Sequence, residues 1–296
     1  MSRRNRRVVC GVAAGTLVAL TLTLAPAHAQ KKTFTGTGKD GKNRALAASA
    51  TFEFDAADAN TLLITLTNTS MLDVLEPQQL LSAVFFSAGN ADLSKDGGSV
   101  KLTEGSELYL NGVKQTRQEN VSGEFAFEKQ ANGKWQFNKD YTTYKPQYGV
   151  SSTGLDGWFG SDDVFAGPKV PGTNNNPPDG LGMNLTSAGD NMSTGNGGVN
   201  SQTIAKNSVQ IRLKRTAGTL DISSISDVWF HYGTSQGEPN FRFTESVYTP
   251  PPLNPSPVPE PAFYAPAVLF GGGLIGMFLV GRRRRAGQDA GGLLPT

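Results

Sequence analysis

Apolar and polar residues alternate over short runs through the middle of the chain. In NTLLITLTNTS, Leu62, Ile64 and Leu66 share one face while Thr61, Thr65 and Thr67 share the other. SVQIRLK repeats the device, with Val209, Ile211 and Leu213 set against Gln210, Arg212 and Lys214. SATFEF does so with Ala50, Phe52 and Phe54, and NFRFTES with Phe241 and Phe243. Successive side chains on a strand point to opposite faces, so a period of two with one apolar face predicts half-buried antiparallel strands. A one-residue slip would turn each apolar set into water, which fixes the register. QLLSAVFFS, at 79–87, is continuously apolar and predicts a strand covered on both sides.

Turn signals separate these runs: Asp96-Gly97-Gly98, Asn111-Gly112, Asn132-Gly133 and Asp156-Gly157. Asn and Asp tolerate positive φ and Gly adopts it freely, as tight hairpins require. SELYLNGVKQ and EFAFEKQANGKWQF therefore read as hairpins. Between the two terminal apolar segments only LDISSIS hints at helix. The expected architecture is an all-β, antiparallel β-sandwich of jelly-roll-like kind over residues 30–248. No repeat of solenoid or propeller length is visible.

Two stretches break the pattern. Residues from about 150 to 200 include VPGTNNNPPDGLGMNLTSAGDNMSTGNGGVN, nearly devoid of large apolar side chains. So long a polar loop in a compact domain would be functional or flexible. Residues 249–261, TPPPLNPSPVPEP, are rich in proline, which fixes φ and resists collapse; they predict an extended, semi-rigid spacer.

The termini carry a different chemistry. Arg3, Arg4, Arg6 and Arg7 precede an apolar run, Val8 to Leu24, and Ala27-His28-Ala29 fits the small-x-small pattern of signal peptidase. A signal peptide over 1–29, cut before Gln30, is expected. Residues 262–281 carry no charge, and four consecutive arginines, Arg282, Arg283, Arg284 and Arg285, then open the tail 282–296. At about 1.5 Å per residue the uncharged run crosses a hydrocarbon core of about 30 Å, and the arginines stop transfer on the cytoplasmic side.

Pro259-Glu260-Pro261, the apolar span and the arginine cluster, in that order, resemble the PEP-CTERM sorting signal of Gram-negative bacteria. The resemblance implies recognition by exosortase, transient anchoring in the inner membrane, a cut near the triplet, and passage of the exported domain to the cell surface or extracellular polymer. More loosely, the segments at 51–87, 148–160 (YGVSSTGLDGWFG), 177–191 (PPDGLGMNLTSAGDN) and 228–239 (VWFHYGTSQGEP) resemble exosortase-dependent surface proteins. That likeness implies location and processing, and it carries no catalytic residues.

Composition narrows the chemistry. The only cysteine, Cys10, and one of the two histidines, His28, lie in the expected signal peptide. The exported chain would then hold His231 alone, which excludes disulfides, thiolate metal sites, cysteine nucleophiles and multi-histidine zinc sites. Setting aside the arginines at the two ends, the formal charge of +2 turns acidic, and no basic patch interleaves with aromatics, so no nucleic-acid partner is expected. No cofactor is implied.

Some candidates remain. Asp162, Asp163, Asp179 and Asp190, with Asn184 and Asn191, offer hard oxygen ligands for Ca²⁺ on glycine-flexed loops. Asp and Asn beside Gly more often close Asx turns, and no Asp-x-Asp-x-Asp-Gly loop is present. His231 should share a strand face with Trp229, opposite Val228, Phe230 and Tyr232, and has no Gly-x-Ser-x-Gly partner motif. Glu124 with Glu128 is a carboxylate pair without a motif behind it. Trp135, Tyr141, Tyr144, Tyr148 and Trp158 would stack on sugar rings or fill a core, the core being the commoner use. Ice binding wants regular ranks of Thr-x-Thr, and triplets such as Thr65-Leu66-Thr67 and Thr35-Gly36-Thr37 are too few for that. The reading is a non-catalytic surface or matrix protein. A carbohydrate- or Ca²⁺-binding module, a polysaccharide hydrolase and an ice binder stand as alternatives.

Overall fold

The computed structural model describes residues 30–250, apart from 131–134, 136, 138–144, 174, 175 and 179. The expected signal peptide, the Pro259-Glu260-Pro261 triplet and the apolar span at 262–281 lie outside the described residues. So do all four stop-transfer arginines, Arg282, Arg283, Arg284 and Arg285, and the rest of the tail. Among the described residues no helix is long and apolar enough to cross a membrane.

The described chain is all-β. Its strands are β1 (Lys31–Lys39), β2 (Ala45–Asp55), β3 (Asp58–Asn68), β4 (Leu81–Ala88), β5 (Asp92–Leu102), β6 (Glu107–Leu110), β7 (Val113–Lys114) and β8 (Ala126–Lys129). There follow β9 (Tyr148–Ser151), β10 (Leu185–Thr186), β11 (Ile204–Lys206), β12 (Ser208–Ala217), β13 (Ile225–Tyr232), β14 (Asn240–Arg242) and β15 (Glu245–Thr249). Helix is limited to short pieces such as Gly197–Asn200, and the helical hint in LDISSIS becomes a single turn, Ile222–Ser224, capped by Asp221.

One sheet has the order β15-β1-β2-β3-β12-β5, and every pair in it is antiparallel. Its inner face is the one foretold by alternation: Phe52, Leu62, Ile64, Leu66, Val209, Ile211 and Leu213 are buried. Phe54, Phe241 and Phe243 pack only partly buried against the same core, near its margin. Ion pairs of Arg212 with Asp55 and of Lys214 with Asp58 join β12 to the β2–β3 turn.

The Asp96-Gly97-Gly98 signal does not turn the chain between strands. It sits inside β5 as a bulge: Arg212 faces Ser99 and Lys214 faces Ser94, so the extra residues loop out opposite β12. The Asn111-Gly112 signal does close the β6–β7 hairpin, with both residues at positive φ (52° and 73°). The hairpin expected across Asn132-Gly133 falls partly outside the described residues, and β8 takes β9 as its antiparallel partner.

The second sheet has nine strands, with the path β14-β13-β4-β10-β11-β6-β7 and with β9 joined to β4 and β8. One pair breaks the antiparallel rule, since β10 and β11 run parallel. Strand β4 is buried along its whole length, as its continuous apolar run predicts. Val84, Phe86, Val150, Phe230 and Tyr232 face the first sheet and join its core, where the Phe52 and Phe86 rings meet edge-on at 5.1 Å.

The opposite face of β4 carries a second aromatic cluster. Phe85 meets Trp135, Phe137, Trp158 and Phe159 with ring centroids 4.7–5.9 Å apart, and Trp229 stacks on Phe137 at 4.9 Å. Fully burying such a side chain contributes about 1.5–3 kcal/mol.

The stretch from 150 to 200 is a built part of this sheet rather than an excursion from it. It supplies the end of β9 and all of β10, and buries Leu155, Trp158, Phe159, Phe165, Met183, Met192 and Val199. Its hydroxyl and amide side chains are also buried, among them Ser151, Ser152, Thr153, Asn184, Thr186 and Ser187. Polar composition did not mean exposure, because these groups bond to one another and to backbone.

Candidate functional site

Three of the segments that carry the family resemblance, 148–160, 177–191 and 228–239, meet at one end of β4, β9 and β13. β13 alternates so that Val228, Phe230 and Tyr232 enter the main core, while Trp229 lies in the outer aromatic cluster and His231 faces Trp158. His231 is fully buried. The Ser82 Oγ donates to the His231 carbonyl at 3.1 Å and stands 3.4 Å from its Nδ1. Ser152 Oγ donates to Asn184 Oδ1 at 2.6 Å, and Ser151 Oγ to the Thr153 carbonyl at 2.7 Å.

The loop after β9 runs through the left-handed region at Leu155 (φ 44°), Asp156 (φ 51°) and Gly157 (φ 90°). Positive φ costs a bulky residue such as leucine, and tertiary contacts hold it here. The Leu155 side chain is anchored in the aromatic cluster, Asp156 Oδ2 accepts the Gln236 N–H at 2.9 Å, and Gln236 Nε2 donates to the Leu155 carbonyl. Thr234 N–H and Ser235 N–H are both taken by Glu238 Oε2. Beside this knot lies an open cleft of about 320 Å³, lined by Thr153, Gly154, Leu155, Asp156, Gly157, Gly180 and Thr234.

Burial pushes the His231 imidazole down to about 4, against the opposing pull of the Gln236 backbone, the Asp156 carboxylate and the Ser235 backbone. The ring is neutral at pH 7, and its Nε2 has no hydrogen-bond partner. A Ser–His contact acts as nucleophile and base only where a substrate carbonyl reaches the hydroxyl. Ser82 is 1% exposed and its hydroxyl is committed to a backbone carbonyl, so the pair serves the fold.

No protein-family model, curated protein or solved structure matches the chain.

Among the described residues the candidate carboxylates are not brought together. Asp163 closes a turn by accepting the Gly160 N–H at 2.7 Å, and Asp162 beside it is exposed. Asp190 is buried elsewhere, where it accepts from the Val74 N–H and the Thr186 hydroxyl. Asn191 accepts from the Ser193 hydroxyl and N–H, and Asp179 lies outside the described residues. Among the described residues no group of three or more His, Cys, Asp or Glu side chains is placed to hold a metal ion.

Glu124 is 2% exposed, and its Oε1 accepts the Val170 N–H at 2.7 Å and the Thr173 hydroxyl at 3.0 Å. Burial pushes this carboxyl up, opposed by those two hydrogen bonds and by Lys169. Glu128 instead lines a shallow depression with Lys95, Asp96, Lys129 and Asp163. Trp135, Tyr148 and Trp158 are core residues, while Tyr141 and Tyr144 lie outside the described residues.

One arrangement was invisible along the chain. Register sets Thr33 opposite Thr51 and Thr51 opposite Thr65, and next to them Thr35, Ser49 and Thr67. Two rows of hydroxyls thus cross three strands on the outer face of the first sheet, and Thr33 and Thr51 bond each other at 2.9 Å. Only strand pairing assembles these rows. The available signal was the Thr and Ser content of the polar faces of β1, β2 and β3 taken together.

Proposed function

We propose that the chain is a non-catalytic exported protein of the cell surface or extracellular matrix, sorted through its Pro259-Glu260-Pro261 signal and processed by exosortase. In this reading the domain is a jelly-roll-like sandwich, preceded by a signal peptide and followed by a transient membrane helix that Arg282, Arg283, Arg284 and Arg285 hold on the cytoplasmic side. Signal peptidase, exosortase and the inner membrane are its processing partners, and extracellular polysaccharide is its surroundings.

The observation that carries the non-catalytic part is how the reactive groups are spent. Glu124, Asp163 and Asp190 each accept from backbone or neighbouring side chains, and the His231 ring is fully buried against Trp158. The tail pattern carries the sorting part: a spanning stretch placed last holds an exported domain where a membrane-embedded enzyme can cut it, and a proline-rich spacer keeps the triplet extended for that cut.

Mass spectrometry of surface-extracted protein tests this. Cells with the sorting enzyme should yield no peptide from Phe263 onward, and intact tails in the surface fraction would overturn the processing step. Chelator should leave the melting temperature unchanged. A fall of several degrees would favour the Ca²⁺-binding alternative, since a ligand held only by the native state adds stability by mass action.

A further inference from the structure

Two loops close over His231, and one residue does most of the joining. Residues 233–239 link β13 to β14, and residues 153–158 follow β9. Gln236 bridges the two loops three times. Its N–H donates to Asp156 Oδ2 at 2.9 Å, and its Nε2 donates to the Leu155 carbonyl at 3.2 Å and the Asp156 carbonyl at 3.3 Å. Thr153 Oγ1 adds a long bond to the Thr234 carbonyl at 3.4 Å.

The 233–239 loop has the parts of a hinged cover. Gly233, at φ 82°, and Gly237 flank residues 234–236, and a Cβ on Gly237 would meet nothing within 4 Å. Glu238 Oε2 takes the Thr234 and Ser235 N–H groups, so the loop keeps its shape from within. Across the joint, Leu155 and Asp156 hold positive φ, a conformation costly for a bulky residue, which the Gln236 bonds help to impose. Beneath the joint the imidazole is fully buried. Its Nδ1 lies by Ser82, and its Nε2, the other ring nitrogen, has no hydrogen-bond partner. Water satisfies such a group once the cover lifts.

We propose that the 233–239 loop is an acid-released clasp: it leaves the 153–158 turn when His231 takes up a proton, and so opens the cleft that Thr234 helps to wall. Burial holds the closed ring at about 4, against 6.5 for an ordinary histidine, and outweighs the pull of the Gln236 backbone, the Asp156 carboxylate and the Ser235 backbone. Glu238, the carboxylate of the clasp itself, is committed to its own loop, while β4 and β14 bring Ser82 and Asn240, which do not titrate. The open form therefore binds the proton more tightly, and the open fraction rises about twentyfold between pH 7 and pH 5.

Hydrogen exchange of the full chain in detergent tests this, read by mass spectrometry on peptides covering 233–239 and β3. Corrected for intrinsic rate, opening of 233–239 should rise about twentyfold from pH 7 to pH 5 and should ignore urea too dilute to unfold the domain. β3 should stay more protected at both pH values. The range stops at pH 5 because ordinary carboxylates protonate at about 4. His231→Gln should lose the pH response. Gln236→Ala keeps the histidine and removes two of the bridges, so opening should rise several-fold at pH 7 with the pH response retained. Exchange at 233–239 that merely tracks β3 is global unfolding and overturns the clasp. So does a pH response that survives in His231→Gln, or one absent from both wild type and Gln236→Ala.

Discussion

The two sheets obey different rules. In the six-stranded sheet every strand but the exposed edge strand β15 meets water on one face and core on the other, and β1, β2 and β3 pair through long registers. In the nine-stranded sheet the centre is covered twice: Phe86 and Val84 face the first sheet, while Phe85 and Ala83 face an aromatic layer brought by residues 135–159. The first arrangement can be written in alternation alone. The second needs a distant segment to arrive, and its strands are short because that segment, not strand length, supplies much of the burial.

The sharpest way to break this comparison is to empty one ring from each layer. Phe52→Ala removes a ring from between the sheets, and Phe85→Ala removes one that touches four other aromatics. Each should lower the unfolding free energy by about 3–5 kcal/mol, read as a shift in denaturant midpoint at constant slope. A cost below about 1 kcal/mol for Phe85→Ala alone would mean that the outer layer is a loose covering and that the second sheet is covered once.

A pH titration probes the same outer layer with a smaller effect. The folded chain holds His231 near 4, against 6.5 for an ordinary histidine, so above pH 6.5 neither state binds the proton. Between 6.5 and 4 the unfolded chain binds it and the folded chain does not, and stability falls as pH falls. The loss approaches about 3 kcal/mol at pH 4. His231→Gln should flatten this part of the stability profile, and an unchanged slope would place the titration elsewhere.

Close approach of backbone to ring gives the next test. A Cβ on Gly149 would stand 2.7 Å from the Phe85 ring and 2.9 Å from Phe159, whereas one on Gly41 meets nothing within 4 Å. Gly149→Ala should cost about 1–3 kcal/mol by overpacking. Gly41→Ala should stay within about 0.5 kcal/mol, as for other surface changes. Equal midpoints for the two variants would show that the aromatic layer yields.

The difference between the sheets is also the measure of what the sequence could say. Leu62, Ile64, Leu66, Val209, Ile211 and Leu213 were legible because the signal is local: period two, one face, a polar counterpart beside each. The Asn111-Gly112 hairpin was legible for the same reason. Asp96-Gly97-Gly98 misled, because glycine at φ 71° serves a bulge as well as a hairpin, and only the partner strand decides which. The 150–200 stretch was misjudged by composition: Ser151, Ser152, Thr153, Asn184 and Thr186 are polar yet buried, Ser151 and Thr186 bonding near neighbours while Ser152 reaches Ser82 and Asn184 and Thr153 reaches Thr234. His231 could be assigned to the face of Trp229 by parity, but its sealing beneath Trp158 and the 234–236 backbone could not be read, since those contacts cross between segments. The threonine rows were hidden likewise, one hydroxyl per strand.

The finest test concerns Glu124, a charge placed where the two layers meet the 160–173 segment. Burial favours the neutral carboxyl, so the folded state binds its proton more tightly than the unfolded chain does. Its contribution is therefore present below the usual glutamate range and is lost as pH rises through the folded value. At pH 7 the group is kept mainly to accept from Val170 N–H and Thr173 Oγ1, both through Oε1. A glutamine Oε1 accepts the same two bonds without the buried charge. Glu124→Gln should therefore raise the denaturant midpoint at pH 7 by a margin worth about 1 kcal/mol or less, and the gain should vanish below about pH 4. A loss of stability at pH 7 would mean that the ionised carboxylate holds Val170 and Thr173 better than an amide can, with Lys169 nearby as its counter-charge. The 160–173 segment would then be fastened to the first core by charge, unlike the aromatic layer over β4, which is fastened by packing.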